Sequence, residues 1–537
     1  MSTNKYDRQL RLWGAKGQKA LGETTLVLFR ATAVGTESAK NLVLPGIGHV
    51  LVVDDAASAQ KEYSSNFFLV NQDKNRAQLS WELLQELNPD VQGSFLHVAE
   101  GLSTACAKPE WWTNLWQTVK TPKILVIASD LEPGILQMVG QACAAKGVPV
   151  ISVQAYGMLG ICRLQTPPLP LMDPKPANTT PDLRLVRPFP GLQNLADGIL
   201  WDELKSHEHS HVPYPLILAK VAKEWKSSHG GALPKTHAEK QEFRDAIKAA
   251  SRDIGKEVNF EEAMKNAYTA YTERSLDLDH LASLRDSVDG LVATQPSLKT
   301  FGDLLHALDK FLKEHDNQPP LHGAIPDMTA STEGYVTLQN AYRDQAKADL
   351  AEMRQYLSSG DVSEEDLSTF CHNVHLLELY QTRTLVDEMA AKVTEELQED
   401  WMMATMDPYE VPAMTPFLWY LGFRACQVFH QEHSRYPGVL DAWEEDVSLL
   451  QECVVKVVTS LGLQENDLVK STLLAADPPK FAQELARYGQ AEIHSISSLI
   501  GGVASQEAVK IITGQYVPLN NTYVYNGIVS VAAVYQC

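Results

Sequence analysis

Cysteine is scarce in this chain. There are seven among 537 residues, at positions 106, 143, 162, 371, 426, 453 and 537, with no C-x-x-C pair. An odd, scattered set gives no support for a cysteine-rich zinc site and favours a reducing compartment over a disulfide framework. Long apolar runs are also missing: no stretch approaches the roughly eighteen residues of a membrane span, and the polar opening MSTNKYDRQ does not read as a signal peptide. Positive charge is short as well. Lys and Arg number 46 against 67 Asp and Glu, a net charge of -21, which argues against nonspecific nucleic-acid binding because that depends on neutralising phosphates. The expected setting is cytoplasmic, nuclear or both, with proteins as partners and neither nucleic acid nor membrane.

Glycine is missing where it matters most. Leu26–Phe29 is a short apolar run of the kind a buried parallel strand needs, and Ala39, Leu42 and Val43 recur at helical spacing up to Pro45-Gly46. His49–Val53 is a second apolar strand ending on Asp54-Asp55. This is a βαβ unit with an acid about twenty residues past the turn, where a dinucleotide-binding unit holds a ribose hydroxyl. A phosphate-binding turn uses glycines so that backbone N–H groups approach the phosphates closely. Here Arg30, Thr32 and Ala33 occupy glycine positions of a G-x-G-G-x-G pattern and only Gly35 remains. The expectation is a turn that builds the fold and binds no nucleotide.

Further along, Arg76–Leu87 reads as a helix, Lys123–Ala128 as a strand running into Ser129-Asp130, Gly134–Ala145 as a helix and Val148–Val153 as a strand. Such alternation indicates a doubly wound, mostly parallel sheet. The proline-rich stretch Thr166–Pro190 breaks it, and helical patterns follow from about 195 to 480. Leu338, Tyr342, Ala346, Leu350, Met353 and Leu357 form an apolar helical stripe read as plain core, and Ser363-x-x-Asp366 reads as a capping box. Toward the end come a buried helix stopped by Gly514 and a hairpin of Thr522–Asn526 and Ile528–Tyr535 turning at Asn526-Gly527. The expected architecture is α/β: residues 1–165 and 484–537 form one Rossmann-like domain, interrupted by a helical insertion at 166–483.

Three stretches, YDRQLRLWG (6–14), NLVLPGIGHVLVVDD (41–55) and GGVASQEAVKIITGQYVPL (501–519), together resemble the activating enzymes of ubiquitin and ubiquitin-like modifiers. In the middle, GAIPDMTA (323–330) and YVTLQNAYRDQAKADL after it resemble the regulatory subunits of that family's neddylation branch. The resemblance implies an adenylation-type fold and a heterodimer with a catalytic subunit, acting on a ubiquitin-like modifier. ATP, magnesium and the thioester-forming cysteine would belong to the partner, with no cofactor on this chain. The family's Asn-Arg-Gln-Phe-Leu motif stands here as Ser65-Asn66-Phe67-Phe68-Leu69, and its lysine as Arg76. Asp54 keeps the ribose position and Asp130 the position of a magnesium ligand, so the reading as a stand-alone carboxylate-adenylating enzyme rests on these two acids. A scaffold with no contact to any ATP site, and the regulatory subunit of the sumoylation enzyme, are the other readings. Cys371, Cys426 and Cys453 all lack the Pro-x-Cys-Thr-like setting of the family's nucleophile, and no C-terminal ubiquitin-like domain follows the last strand. Arg8 matches the position from which family dimers send an arginine into the neighbouring subunit's ATP site; otherwise it is a surface arginine salt-bridging within its own helix.

Overall fold

The computed structural model describes residues 5–57, 65–69, 74–174, 181–358, 360, 362–389, 415–439, 443–475 and 478–537. Ten strands lie among them: β1 (Thr24–Phe29), β2 (His49–Asp54), β3 (Gln92–His97), β4 (Lys123–Ser129), β5 (Val150–Tyr156), β6 (Leu159–Gln165), β7 (Leu169–Leu171), β8 (Glu378–Tyr380), β9 (Thr522–Asn526) and β10 (Val531–Tyr535). Eight form one sheet in the order β10-β9-β6-β5-β4-β1-β2-β3, while β7 and β8 pair separately. The pairs from β5 through β4, β1 and β2 to β3 are parallel, and those joining β5, β6, β9 and β10 are antiparallel. The chain order reverses at β1, between β4 and β2; in doubly wound sheets ligands bind at the carboxyl ends of the strands at such a point.

Two-residue alternation divides the central strands between two cores. Leu26, Leu28, Val50, Val52, Leu125 and Ile127 pack with the helices Ala33–Val43 and His494–Thr513. Val27, Phe29, Leu51, Val53, Val126 and Ala128 face the helices Pro109–Thr118 and Pro133–Lys146. Both faces are covered, so these strands read as continuous apolar runs. A third core joins Tyr156, Leu159, Ile161 and Val524 to the helices Pro416–His433, Trp443–Ser460 and Lys480–Tyr488.

This third core bears on the domain boundary. The described residues divide into a unit of 1–169 with 380–537 and a unit of 170–379, whereas the sequence pattern extends the insertion to 483. Helical periodicity alone cannot tell a helix of the insertion from one laid on the sheet. Specific bonds tie the segment after 379 to the sheet: Tyr380 Oη donates to Leu519 O at 2.5 Å, the Thr166 amide to Thr382 Oγ1 at 2.9 Å, and the Leu385 amide to Gln165 Oε1 at 2.9 Å. Glu388, fully buried, lies between Arg163 Nη1 (3.2 Å) and Arg424 Nη1 (3.7 Å) and accepts from Tyr420 Oη at 3.1 Å.

Other details also depart from the sequence pattern. The edge strand β3 (QGSFLH) lacks an apolar run, and the sequence pattern does not set β6 apart from the loop before it. β10 begins at Val531 and pairs it with Asn526, so four residues turn the hairpin. Gly527 is held by its amide bond to Met158 O at 2.8 Å. The stripe on Thr332–Tyr356 is core as read, with Leu338, Tyr342 and Met353 buried. Ser363 caps its helix by accepting from the Asp366 amide at 3.0 Å; Ser359, at the end of the stripe helix, lies outside the described residues.

Candidate functional site

At the reversal point β1 runs into Arg30 and β4 into Asp130, both left-handed non-glycine residues (φ 59° and 45°). The helix Ala33–Val43 then begins with free backbone N–H groups at the positive end of its dipole, the usual seat of a phosphate. The chain fills that seat itself. Ala33 N donates to Glu492 Oε2 and Val34 N to Glu492 Oε1, both at 3.0 Å. Glu492 stands just ahead of the helix His494–Thr513, some 460 residues from the turn it caps.

Each residue at a former glycine position has a structural partner. Arg30 Nη1 donates to Asp130 O at 2.9 Å and Nη2 to Glu132 Oε1 at 2.8 Å, with Nε 3.7 Å from Asp55. Thr32 Oγ1 bonds to Ser129 Oγ and lies 3.2 Å from Asp130 Oδ2. Gly35 survives for packing: a Cβ there would stand 2.7 Å from Arg30 O and 2.8 Å from Ser129 Oγ. This is the helix-against-strand role of the last glycine in such turns.

The two acids have also become structural. Asp54, wholly buried, accepts four bonds: Ala31 N (2.7 Å) and Arg76 Nε (2.7 Å) on Oδ2, and Ala56 N (2.9 Å) and Arg76 Nη2 (3.0 Å) on Oδ1. A bidentate arginine and two amides use the lone pairs a ribose would need. Asn66, in the place of the motif's arginine, donates to Ala31 O at 3.0 Å and accepts from Thr36 Oγ1 at 3.1 Å. Asp130 is buried beside Glu492; burial first, and then the Glu492 charge, push its carboxyl well above the usual carboxylate range. Its Oδ1 meets no donor among the described residues.

The ThiF family profile matches residues 6–534. The NEDD8-activating enzyme E1 regulatory subunit of Xenopus laevis is 34% identical over 99% of this chain and 98% of its own length. That of Danio rerio is 34% identical over the same shares. The Arabidopsis thaliana subunit AXR1 is 32% identical over 98% of this chain and 94% of its own. The chain belongs to the ThiF family, among the NEDD8-activating enzyme regulatory subunits.

Against that family's pattern, the turn, the two acids, Asn66 and Arg76 gather at one point, as the sequence suggests. Glu492 is absent from the sequence reading. No motif marks it, since a glutamate before a helix is common and only the fold carries it to the turn. Arg8 lies apart from this cluster's bonds, exposed in the first turn of Asp7–Gly22, and no described residue pairs with it; Asp7 instead holds Arg11 at 3.0 Å. All seven cysteines are buried and unpaired. Burial raises the thiols of Cys371 and Cys426 to about 12 and that of Cys453 to about 11, opposite to the shift a nucleophilic thiolate needs.

Proposed function

We propose that this chain is the non-catalytic subunit of a heterodimer that uses ATP to adenylate NEDD8, a ubiquitin-like modifier, and load it as a thioester on the partner subunit. The observation that carries this reading is the Glu492 carboxylate on the amides of Ala33 and Val34. With that seat taken, glycine positions filled and Asp54 saturated, the residues do not fit a nucleotide; ATP and magnesium belong to the partner. The stand-alone adenylating enzyme is disfavoured because Asp54 is spent on Arg76 and backbone amides and Asp130 is buried beside Glu492, which disfavours its charged form. The buried thiols support placing the thioester on the partner.

Arg8 is the residue proposed to act across the interface. Its charge is fixed and its fork matches phosphate oxygens, and it is exposed with no in-chain partner among the described residues. Adenylation releases pyrophosphate, so charge builds on the leaving oxygens and a cation beside them stabilises the transition state. A cation supplied in trans makes activity depend on assembly. Arg8→Ala should still form the heterodimer while slowing ATP–pyrophosphate exchange by roughly ten- to a thousandfold, and Arg8→Lys should recover part of the loss. An unchanged exchange rate in a normally assembled Arg8→Ala enzyme would assign the arginine to the surface. A cytoplasmic and nuclear setting is proposed on the cysteine pattern. Among the described residues no helix is long and apolar enough to cross a membrane.

A further inference from the structure

Within the unit 170–379, residues 321–325 lie against the helix Thr332–Tyr356 without regular structure of their own. Two contacts hold them there. The Leu321 amide donates to the buried Asp349 Oδ2 at 2.8 Å, and Gly323, at φ 78°, sits where a Cβ would stand 2.8 Å from the Ala346 Cβ. The helix Glu364–His372 packs alongside, its Leu367 and Phe370 sharing a core with Met353. These three elements line an open groove of about 420 Å³, within the range of ligand sites.

The lining of this groove runs against the charge of the chain, which is -21 overall. Gln339, Arg343 and Lys347 follow at steps of four along the helix and share one face; His322 comes from the irregular segment, and Ser368 and His372 from the second helix. Among the described residues no Asp or Glu lines the groove. The side chains of His322, Gln339, Arg343, Ser368 and His372 have no hydrogen-bond or ion-pair partner among the described residues. Lys347 meets Asp344 at 3.4 Å, an exposed pair of the kind that contributes little. The His322 and His372 rings stand 4.4 Å apart between centroids. The groove walls desolvate both rings and hold them below the usual histidine range; His372 adds to the shift of His322, and Asp173 opposes it at His372. Two fixed cations and two imidazoles around one opening lack a counter-charge.

A phosphomonoester supplies one. Its charge of about −2 answers Arg343 and Lys347, and its three oxygens accept from more donors than a carboxylate can. Ile325, Ala346 and Leu350, half-buried beside the cations, offer apolar surface that a free ion would leave bare. We infer that this groove binds a phosphorylated side chain of a partner protein, the phosphate taking donors from Arg343, Lys347, His322 and His372 while flanking apolar residues rest on Ala346 and Leu350. The site is independent of the nucleotide-cradle reading. A fluorescein-labelled Gly-Leu-Ala-phosphoserine-Ala-Leu-Gly peptide, titrated with the full chain at low ionic strength, should give a saturable rise in polarisation. On the same unmodified chain the peptide with plain serine should bind at least about tenfold more weakly. Inorganic phosphate should compete at least about tenfold less well than the unlabelled phosphopeptide, because it buries no apolar surface. Arg343→Ala, an exposed helical change checked for folding by circular dichroism, should weaken phosphopeptide binding by about tenfold through loss of charge-assisted bonds. Failure of the phosphopeptide to saturate, equal binding by the serine peptide or by Arg343→Ala, or equal competition by inorganic phosphate overturns the inference.

Discussion

Burial and the neighbouring Glu492 raise the Asp130 carboxyl above the usual carboxylate range, and substitutions there separate charge from shape. In Asp130→Asn the new side chain would mimic the protonated acid: its amide donates to Glu492, its oxygen can still accept from Thr32, and asparagine tolerates the left-handed backbone. Because the folded-state value of Asp130 is raised, folding takes up a proton above the ordinary carboxylate range. The contribution is complete below that range and is lost as pH rises toward the raised value. Urea melts across pH should therefore show stability declining over that window in the unmodified chain, and a flatter dependence in Asp130→Asn with little loss near neutrality. Glu492→Ala, which strands two helix-opening amides, should cost about 1–3 kcal/mol. Gly35→Ala should cost about 1–3 kcal/mol by overpacking against Arg30 O and Ser129; a neutral result in the same melts would contradict the packing role.

At the scale of elements, what is legible follows periodicity. β1, β2 and β4 and the helices after them announce themselves because strands buried on both faces carry unbroken apolar runs. β3 is not legible, since an edge strand has no such run, and β6 gives no helix-strand alternation because it pairs antiparallel to β5. The turn's decay can be read from Arg30, Thr32 and Ala33; the group that fills it cannot, because Glu492 arrives through tertiary packing. The same limit hides the attachment of the described residues between 380 and 488 to the sheet, to which the Arg163–Glu388–Arg424 triad contributes beside a shared apolar core. Glu388→Gln leaves two buried guanidinium groups without their carboxylate and should destabilise the α/β unit by about 3–5 kcal/mol. Calorimetric unfolding is the check, and an unchanged transition would mean the triad does not hold that segment.

For the whole molecule, the proposed heterodimer divides labour between two chains: this one retains the sheet, the turn and an exposed Arg8, while its own carboxylates and arginines occupy the turn and the ribose position. In the assembled enzyme, with ATP and modifier on a non-reducing gel, the thiol-sensitive adduct should therefore migrate with the partner only. An adduct on this chain lost in Cys371→Ala, Cys426→Ala or Cys453→Ala would contradict the burial argument. The most direct test of the central claim is isothermal titration calorimetry of Mg-ATP into the isolated chain and into the heterodimer. The self-filled cradle predicts no binding by the chain alone and one nucleotide per heterodimer; a stoichiometric micromolar site on the isolated chain would contradict it.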